Sequence, residues 1–350
     1  MRLGLAILVM LDHTSGLSKN QGLSYLSDLP ILHKSTEAVY AFFVLSGYLI
    51  IRSIFIEKRN KIFSIKNFYA RRALRILPLY YSVGLFGLLF YHILLPQLNV
   101  AFDNQYTLAE GALMIAALAP NVLSTYQPGG ILEVLWSIGI EEQFYLGIAP
   151  LLLFTKTKHF ARVLAVIFVI SVLLFHIQYV SFFRDFGLQY FFLICGGLTA
   201  ICYEKGWFDS ILKSEALKII ISIVVLMLFF TDFLKSDVVL VYDLTLTAAF
   251  SMFILIISNL KQPFVVKNKG INYLGQISYG IYMLHTIVLN FVVFTFLKLN
   301  LKSDVLTILI INLLVVSITF LASHFSYKYF ESFFLKKKNN FRLSVSNRDN

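Results

Sequence analysis

Residues 37–56 read EAVYAFFVLSGYLIIRSIFI, a run dominated by apolar side chains. A helix rises 1.5 Å per residue, so about 20 apolar residues match the roughly 30 Å hydrocarbon core of a bilayer. This stretch therefore predicts a helix that crosses a membrane. Further apolar runs lie at residues 2–17, 79–96, 107–124, 134–154, 162–181, 187–203, 216–234, 239–259, 274–297 and 304–327.

The composition agrees with these runs. Of the 350 residues, 58% are hydrophobic and only 14% are charged, and the mean hydropathy is +0.76. A soluble domain of this size is about one quarter charged. We therefore predict an all-α, polytopic integral membrane helical bundle with the lipid bilayer as its surroundings.

The basic residues predict the orientation of this bundle. If the N-terminus is cytosolic and the run at 107–124 does not span, 24 of the 30 Lys and Arg residues lie in or beside cytosolic segments, which agrees with the positive-inside tendency. That run also carries Glu110 and is interrupted at Pro120. The prediction is about ten transmembrane helices, one re-entrant or interfacial segment, and cytosolic N- and C-termini.

The remaining features of the sequence do not predict a soluble domain. The net charge of +11 follows from the basic loops, so we expect no nucleic-acid partner. Cys195 and Cys202 share one apolar run, which indicates packing rather than a disulfide or metal site. No metal-binding spacing or glycine-rich phosphate loop occurs, so no metal is expected. Residues 1–335 are expected to form one transmembrane domain, and residues 336–350 a polar, disordered cytosolic tail.

Ionisable residues within apolar runs are candidates for function, because a bilayer makes them costly. Arg2 and His13 lie eleven positions apart in the first run, almost three helical turns, and so share a face about 16 Å apart along the axis. His13 can act as a general base at neutral pH. The structural alternative is a hydrogen-bonded packing histidine.

Three arginines crowd the stretch FYARRALRILPLYY at residues 68–81, namely Arg71, Arg72 and Arg75. Guanidinium groups suit phosphate oxygens because they present planar forks of donors. The alternative is a basic loop that contacts anionic lipid headgroups.

Two further stretches carry polar groups into apolar runs. In WSIGIEEQFYL, residues 136–146, the carboxylates of Glu141 and Glu142 lie roughly 7–10 Å below the helix start and need a partner or a raised pKa. The structural alternative is an ion pair within the bundle. In LGQISYGIYMLHTIV, residues 274–288, one helical stripe carries Ser278, Tyr282 and His285. This stripe predicts either the wall of a polar cavity or hydrogen bonding between helices.

Together these strings resemble the acyltransferase-3 family of bacterial membrane acyltransferases. The Arg2–His13 pair, AFFVLSGYLI at 41–50, YARRALRILPLYY, WSIGIEEQFYL, SYGIYMLH and YKYFESFF at 327–334 are similar to the family's motifs in the same order. The resemblance covers roughly residues 2–335.

The resemblance implies an acyl-CoA-dependent O-acyltransferase of the bacterial cytoplasmic (inner) membrane. It implies transfer of an acetyl or other short acyl group from cytosolic acyl-CoA, with acetyl-CoA as the expected donor, to a hydroxyl of an envelope or exported carbohydrate.

The site residues that we predict fall into three groups. His13 would be catalytic, either as the general base for the acceptor hydroxyl or as a relay of the acyl group, with Glu142 favoured over Glu141 for orienting it. Arg2, Arg71, Arg72 and Arg75 would hold the CoA phosphates. The candidates for the substrate cavity are Ser46, Trp136, Ser137, Tyr145, Ser278, Tyr282 and His285.

Two other classes of function remain open at this point. A transporter or flippase for a sugar or lipid-linked intermediate would use midplane histidine and glutamate as proton relays, but it gives the arginine triplet no clear place. A scaffold without chemistry gives no reason for His13, Glu141, Glu142 and His285. Binding or hydrolysis of acetyl-CoA by the purified protein distinguishes the enzyme from both.

Overall fold

A computed structural model describes residues 1–26, 29–259, 268–299 and 304–341, and the regular structure in these ranges is helical. Each of the longest helices overlaps one predicted apolar run. They are α1 (Arg2–Asn20), α2 (Ser35–Arg59), α3 (Ile65–Leu89), α4 (Leu135–Phe154), α5 (Phe160–His176), α6 (Tyr190–Glu204), α7 (Glu215–Phe230), α8 (Val239–Ser258), α9 (Ser278–Lys298) and α10 (Val305–Phe325).

The protein is a multi-pass membrane protein, although the predicted count of ten spans is not confirmed. The helices α6 and α7 have only 15 and 16 residues, and α1 and α4 contain several ionisable residues that lower their hydropathy. Among the described residues, six helical stretches are long and apolar enough to cross a bilayer: Ser35–Arg59, Ile65–Gln97, Thr157–His176, Val239–Ser258, Ser278–Lys298 and Val305–Phe341.

The apolar run at 107–124 forms two short helices, Leu108–Ala116 and Pro120–Ser124. Glu110, which made this run doubtful as a span, closes a capping box with Thr107: the Thr107 backbone N–H donates to Glu110 at 2.7 Å. These hydrogen bonds lower the pKa of the Glu110 carboxyl. Helices of nine and five residues are too short to cross a bilayer, and the position of this segment at the interface stays a prediction.

The centre of the bundle is the crossing of α2 and α6. A Cβ added at Gly47 would overlap the backbone carbonyl of Leu193, and one added at Gly196 would overlap that of Val44. The two backbones can touch only because both positions are glycine, as is typical of helix pairs in membranes. The neighbouring Ser46 is thereby directed from this crossing toward α4.

Lys58, near the end of α2, fixes the position of α4. Its ammonium group donates to the carbonyl oxygens of Leu152, Leu153 and Thr155 at 2.7, 2.7 and 2.6 Å. These are carbonyls at the helix C-terminus that lack partners within the helix. The contact joins the ends of α2 and α4, so that polar residues in the middle of each helix face one another.

The chain remains helical beyond α10. A π-helical stretch at Ser326–Glu331 leads into a helix at Ser332–Lys338 and a 3-10 turn at Asn339–Phe341. Residues 336–341 of the predicted disordered tail therefore have regular structure, and residues 342–350 lie outside the described residues. The division into a domain and a tail stays a prediction.

We expect the loop after α2 and the C-terminal segment to lie on the cytosolic side, because the basic residues concentrate there. Cysteines placed at Asn60 and Asn340, both exposed, should resist an impermeant thiol reagent applied to intact cells. The background replaces Cys195 and Cys202 by alanine. A cysteine at Asp237, also exposed, serves as the labelled control, and labelling at either test position in sealed cells would contradict the orientation.

Candidate functional site

A cavity opens between α1, α2, α3, α4 and α9. It has an empty volume of about 680 Å³, including its open mouth. Several apolar side chains, including Phe42, Phe43 and Ile138, share its wall with polar groups. Nine of the predicted site residues line it: Arg2, Ser46, Arg72, Arg75, Ser137, Glu141, Tyr145, Ser278 and Tyr282.

One part of the cavity is strongly basic. Arg72 and Arg75 are three residues apart on α3 and so share a helix face, and Arg2 at the start of α1 is close enough for its charge to act on both. The Arg72 guanidinium lies 5.4 Å from the centre of the Tyr145 ring. Three converging cations, each with planar donors, make this part of the cavity suited to an anion.

Glu141 faces the cavity and accepts two hydrogen bonds. The Ser46 hydroxyl donates to its Oε1 at 2.9 Å, and the Tyr145 hydroxyl donates to its Oε2 at 2.7 Å. The hydrogen bond between Ser46 and Glu141 joins the middle of α2 to the middle of α4. The contacts of Lys58 join the ends of the same two helices. Glu141 thus fixes the positions of two cavity side chains and lies near Arg2 and Arg72.

Glu142 points away from Glu141, because successive helical residues are about 100° apart. Its side chain is buried, and its Oε1 has no hydrogen-bond partner among the residues that the structure describes. The charges of Arg72 and Glu141 act on it. Glu142 is not among the residues that line the cavity.

His13 contacts a second histidine. Its Nδ1 is 2.9 Å from Nε2 of His285, and Nδ1 of His285 is 2.6 Å from the carbonyl oxygen of Tyr282. A carbonyl can only accept, so His285 carries its proton on Nδ1, and its Nε2, in the neutral ring, accepts the proton of His13 Nδ1. The chain of hydrogen bonds leaves Nε2 of His13 with a free lone pair.

The histidine pair adjoins the cavity through Tyr282. The Tyr282 hydroxyl is 2.7 Å from the Ser137 hydroxyl, and both side chains line the cavity. His285 is fully buried, whereas His13 is partly exposed. The predicted stripe on α9 thus divides into Ser278 and Tyr282 at the cavity wall and His285 behind it.

The structure corrects the predicted partner of His13. Within the described residues it gives His13 a hydrogen bond to His285, and it gives no hydrogen bond between His13 and Glu141 or Glu142. The reason is the packing of α9 against α1, which brings a histidine to the position where we expected a carboxylate. The catalytic roles of these residues stay predictions.

Two further predicted residues lie outside the cavity. Arg71 donates to both oxygens of Glu57 at 2.7 and 3.0 Å and to the carbonyl oxygen of Phe341 at 3.0 Å. Trp136 packs edge-on against Phe43, with ring centres 5.9 Å apart.

Sequence reasoning missed Tyr279, which lines the cavity and donates its hydroxyl proton to the carbonyl of Ile76 at 2.8 Å. Its position next to Ser278 in the stripe was a usable signal. Among the described residues, no group of three or more His, Cys, Asp or Glu side chains could hold a metal ion.

Comparisons with known proteins identify the family of this chain. A family model described as an acyltransferase domain, that of the acyltransferase-3 family, matches residues 1–324. An uncharacterized protein from Haemophilus influenzae (strain ATCC 51907 / DSM 11121 / KW20 / Rd) is 33% identical over 149 residues, which cover 39% of this chain and 56% of that relative. The match thus spans little more than half of the relative's own length. No solved structure matches the chain. Because the family model covers most of the sequence, the chain belongs to the acyltransferase-3 family.

Proposed function

We propose that the protein transfers an acetyl or other short acyl group from cytosolic acyl-CoA to a hydroxyl of a cell-envelope or exported carbohydrate. The membrane would be the bacterial cytoplasmic membrane, with both termini in the cytosol. One observation carries the proposal: a cavity with three converging arginines adjoins a histidine whose hydrogen bonds leave one ring nitrogen free as a base.

The basic part of the cavity suits the donor. Acyl-CoA carries phosphates at one end and a thioester at the other, joined by a long, uncharged arm. Arg2, Arg72 and Arg75 offer charge-assisted hydrogen bonds to phosphate oxygens, and apolar side chains such as Phe42 and Ile138 give the arm a surface. The thioester would then reach toward Tyr282 and the histidine pair.

The histidine pair supplies the proton transfer that the reaction needs. A sugar hydroxyl is a weak nucleophile, so transfer benefits from a base in hydrogen-bond reach. Nε2 of His13 would take the hydroxyl proton as the hydroxyl oxygen bonds to the thioester carbon. The carbon–sulfur bond then breaks, and the same proton passes to the departing sulfur, which leaves as the CoA thiol. Atoms and charge balance without another reactant.

His285 would act as a positioning residue for His13. By accepting the proton of His13 Nδ1, it holds the imidazole in the tautomer with a free Nε2 and stabilises the imidazolium that forms during transfer. Glu141 would keep Ser46 and Tyr145 in place beside the arginines. The steps above do not use Glu142, which is buried, and its catalytic role stays a prediction.

Transport of a sugar or lipid-linked intermediate is the less favoured alternative, because the chain belongs to a family of acyltransferases.

The test of the acceptor is mass analysis of envelope polysaccharides from cells with and without the gene. We expect alkali-labile acyl esters on the carbohydrate to disappear with the gene and to return with the wild-type copy only. A copy that carries His13→Ala is the matched control. Identical ester content in all strains, with the protein present in the complemented ones, would contradict a carbohydrate acceptor.

A further inference from the structure

Most of the hydroxyl groups around the cavity already donate their protons to the protein. Among the described residues, six serines and tyrosines line the cavity. Four of them donate to neighbouring oxygens at 2.7–2.9 Å, namely Ser46 and Tyr145 to Glu141, Ser278 to the carbonyl of Gly275, and Tyr279 to the carbonyl of Ile76. A hydroxyl has a single proton, so these four groups have none left for a ligand.

The other two hydroxyls, those of Ser137 and Tyr282, are 2.7 Å apart and bond to each other across α4 and α9. Both side chains are buried. Their hydrogen bond uses only one of the two hydroxyl protons, and neither hydroxyl has another hydrogen-bond partner among the described residues. The pair therefore keeps one O–H donor that a ligand in the cavity can use.

The position of this hydroxyl pair along α9 relates it to both ends of the proposed reaction. Tyr279 contacts α3 at Ile76, beside the basic part of the cavity. Tyr282 lies three residues further along α9, about 4.5 Å along the helix axis. Its backbone carbonyl holds His285 at 2.6 Å, and the centres of the two rings are 6.0 Å apart. A donor with its phosphates at the arginines would bring its thioester to this end of the cavity.

Acyl transfer creates a negative charge for which such a donor is suited. When the acceptor oxygen bonds to the thioester carbon, the electron pair of the carbonyl bond moves to the carbonyl oxygen. Hydrogen-bond donors fixed at that oxygen stabilise the transition state. The pair of electrons then re-forms the carbonyl bond as the carbon–sulfur bond breaks, and the sulfur takes the proton that His13 holds. No further reactant is needed.

We propose that the Tyr282 hydroxyl donates to the carbonyl oxygen of the acyl donor and stabilises the oxyanion that forms there, with Ser137 as its positioning residue. This inference rests on the proposed transfer from acyl-CoA. A phenol is the stronger acid of the two hydroxyls, so Tyr282 gives its proton to the oxyanion, which is the stronger acceptor. Ser137 then donates to the Tyr282 oxygen, and hydrogen bonds in such a chain strengthen one another.

The first measurement is the single-turnover rate of acetyl transfer, with acetyl-CoA affinity on the same samples in nanodiscs. Tyr282→Phe removes the hydroxyl but keeps the ring that packs against Phe42 and the carbonyl that holds His285. We expect this variant to transfer about 10²–10³-fold more slowly, as loss of an oxyanion donor does, with unchanged affinity. Ser137→Ala should lose up to about tenfold, the effect of one neutral hydrogen bond.

Tyr190→Phe is the matched control. The Tyr190 hydroxyl also bonds to a side chain of α4, that of Gln143, at 3.0 Å, but Tyr190 does not line the cavity. This variant removes a hydrogen-bonded phenol from the same bundle and should transfer at the wild-type rate.

The second measurement detects the hydrogen bond itself. Infrared difference spectra are recorded for acetyl-CoA that is isotope-labelled at the carbonyl carbon and bound without an acceptor. A hydrogen bond to the carbonyl oxygen lowers its stretching frequency. We expect the frequency to be lower in wild type and Tyr190→Phe than in free acetyl-CoA, and to return most of the way in Tyr282→Phe.

Wild-type transfer by Tyr282→Phe would overturn the inference, and so would the same carbonyl frequency in this variant and wild type. An equal loss of rate in Tyr190→Phe, or a loss of affinity as large as the loss of rate in Tyr282→Phe, would also overturn it. Folded wild-type protein that transfers no acetyl group would instead overturn the proposed function, and with it this role of Tyr282.

Discussion

Replacing His13 by alanine is expected to abolish acyl transfer while leaving acyl-CoA binding nearly unchanged. A general base contributes about 10²–10⁴-fold to a proton-transfer step, and a loss of this size is close to the detection limit of most transfer assays. Binding should survive because His13 does not line the basic part of the cavity. The measurement is transfer rate and CoA affinity on the same purified samples.

The control for this prediction is His159→Ala, since His159 lies in a 3-10 turn between α4 and α5, away from the pair. His285→Ala should give an intermediate loss of rate with normal CoA affinity. The base, His13, is still present in this variant, but its Nδ1 proton no longer has the partner that fixes the tautomer. Full transfer by His13→Ala at matched protein levels would return His13 to the status of a packing histidine.

Replacing Arg72 or Arg75 by alanine is expected to weaken CoA binding by about 1.5–3 kcal/mol, a factor of roughly 10 to 150 in Kd. Both side chains line the cavity. Lysine at either position should restore the affinity only in part, because the charge returns without the planar fork. Isothermal titration or a fluorescence competition assay with CoA measures the change.

Arg162→Ala is the control for general charge, because Arg162 is exposed near the start of α5. Arg71→Ala, which we also expected to weaken binding, is a poorer test, since Arg71 is tied to Glu57 and Phe341 and its loss disturbs the C-terminal segment. Unchanged CoA affinity in Arg72→Ala and Arg75→Ala would favour contact with lipid headgroups instead.

Much of the fold could be predicted because the bilayer imposes a simple rule. Each long helix overlaps an apolar run, and the break at Pro120 was visible as a proline after a short run. The number of spans could not be settled by the same rule. Helices α1 and α4 carry polar residues toward the cavity, and these residues lower the hydropathy by which a span is recognised.

Most residues of the candidate site could be predicted from the sequence, but the contacts between them could not. Helical periodicity placed Ser278 and Tyr282 on one face, and both line the cavity. Helical periodicity does not show how a helix is rotated relative to its neighbours. It therefore could not predict which of Glu141 and Glu142 lines the cavity. The contact of His13 with His285 joins residues 272 positions apart.

A single-turnover assay with purified protein tests the central claim most directly. Protein in nanodiscs is mixed with acetyl-CoA labelled in the acetyl group and with envelope carbohydrate from cells that lack the gene. We expect free CoA thiol and alkali-labile labelled carbohydrate to appear in equal amounts, and both to be absent with His13→Ala. Folded wild-type protein that neither binds acetyl-CoA nor releases CoA thiol would contradict an acyl-CoA-dependent transfer.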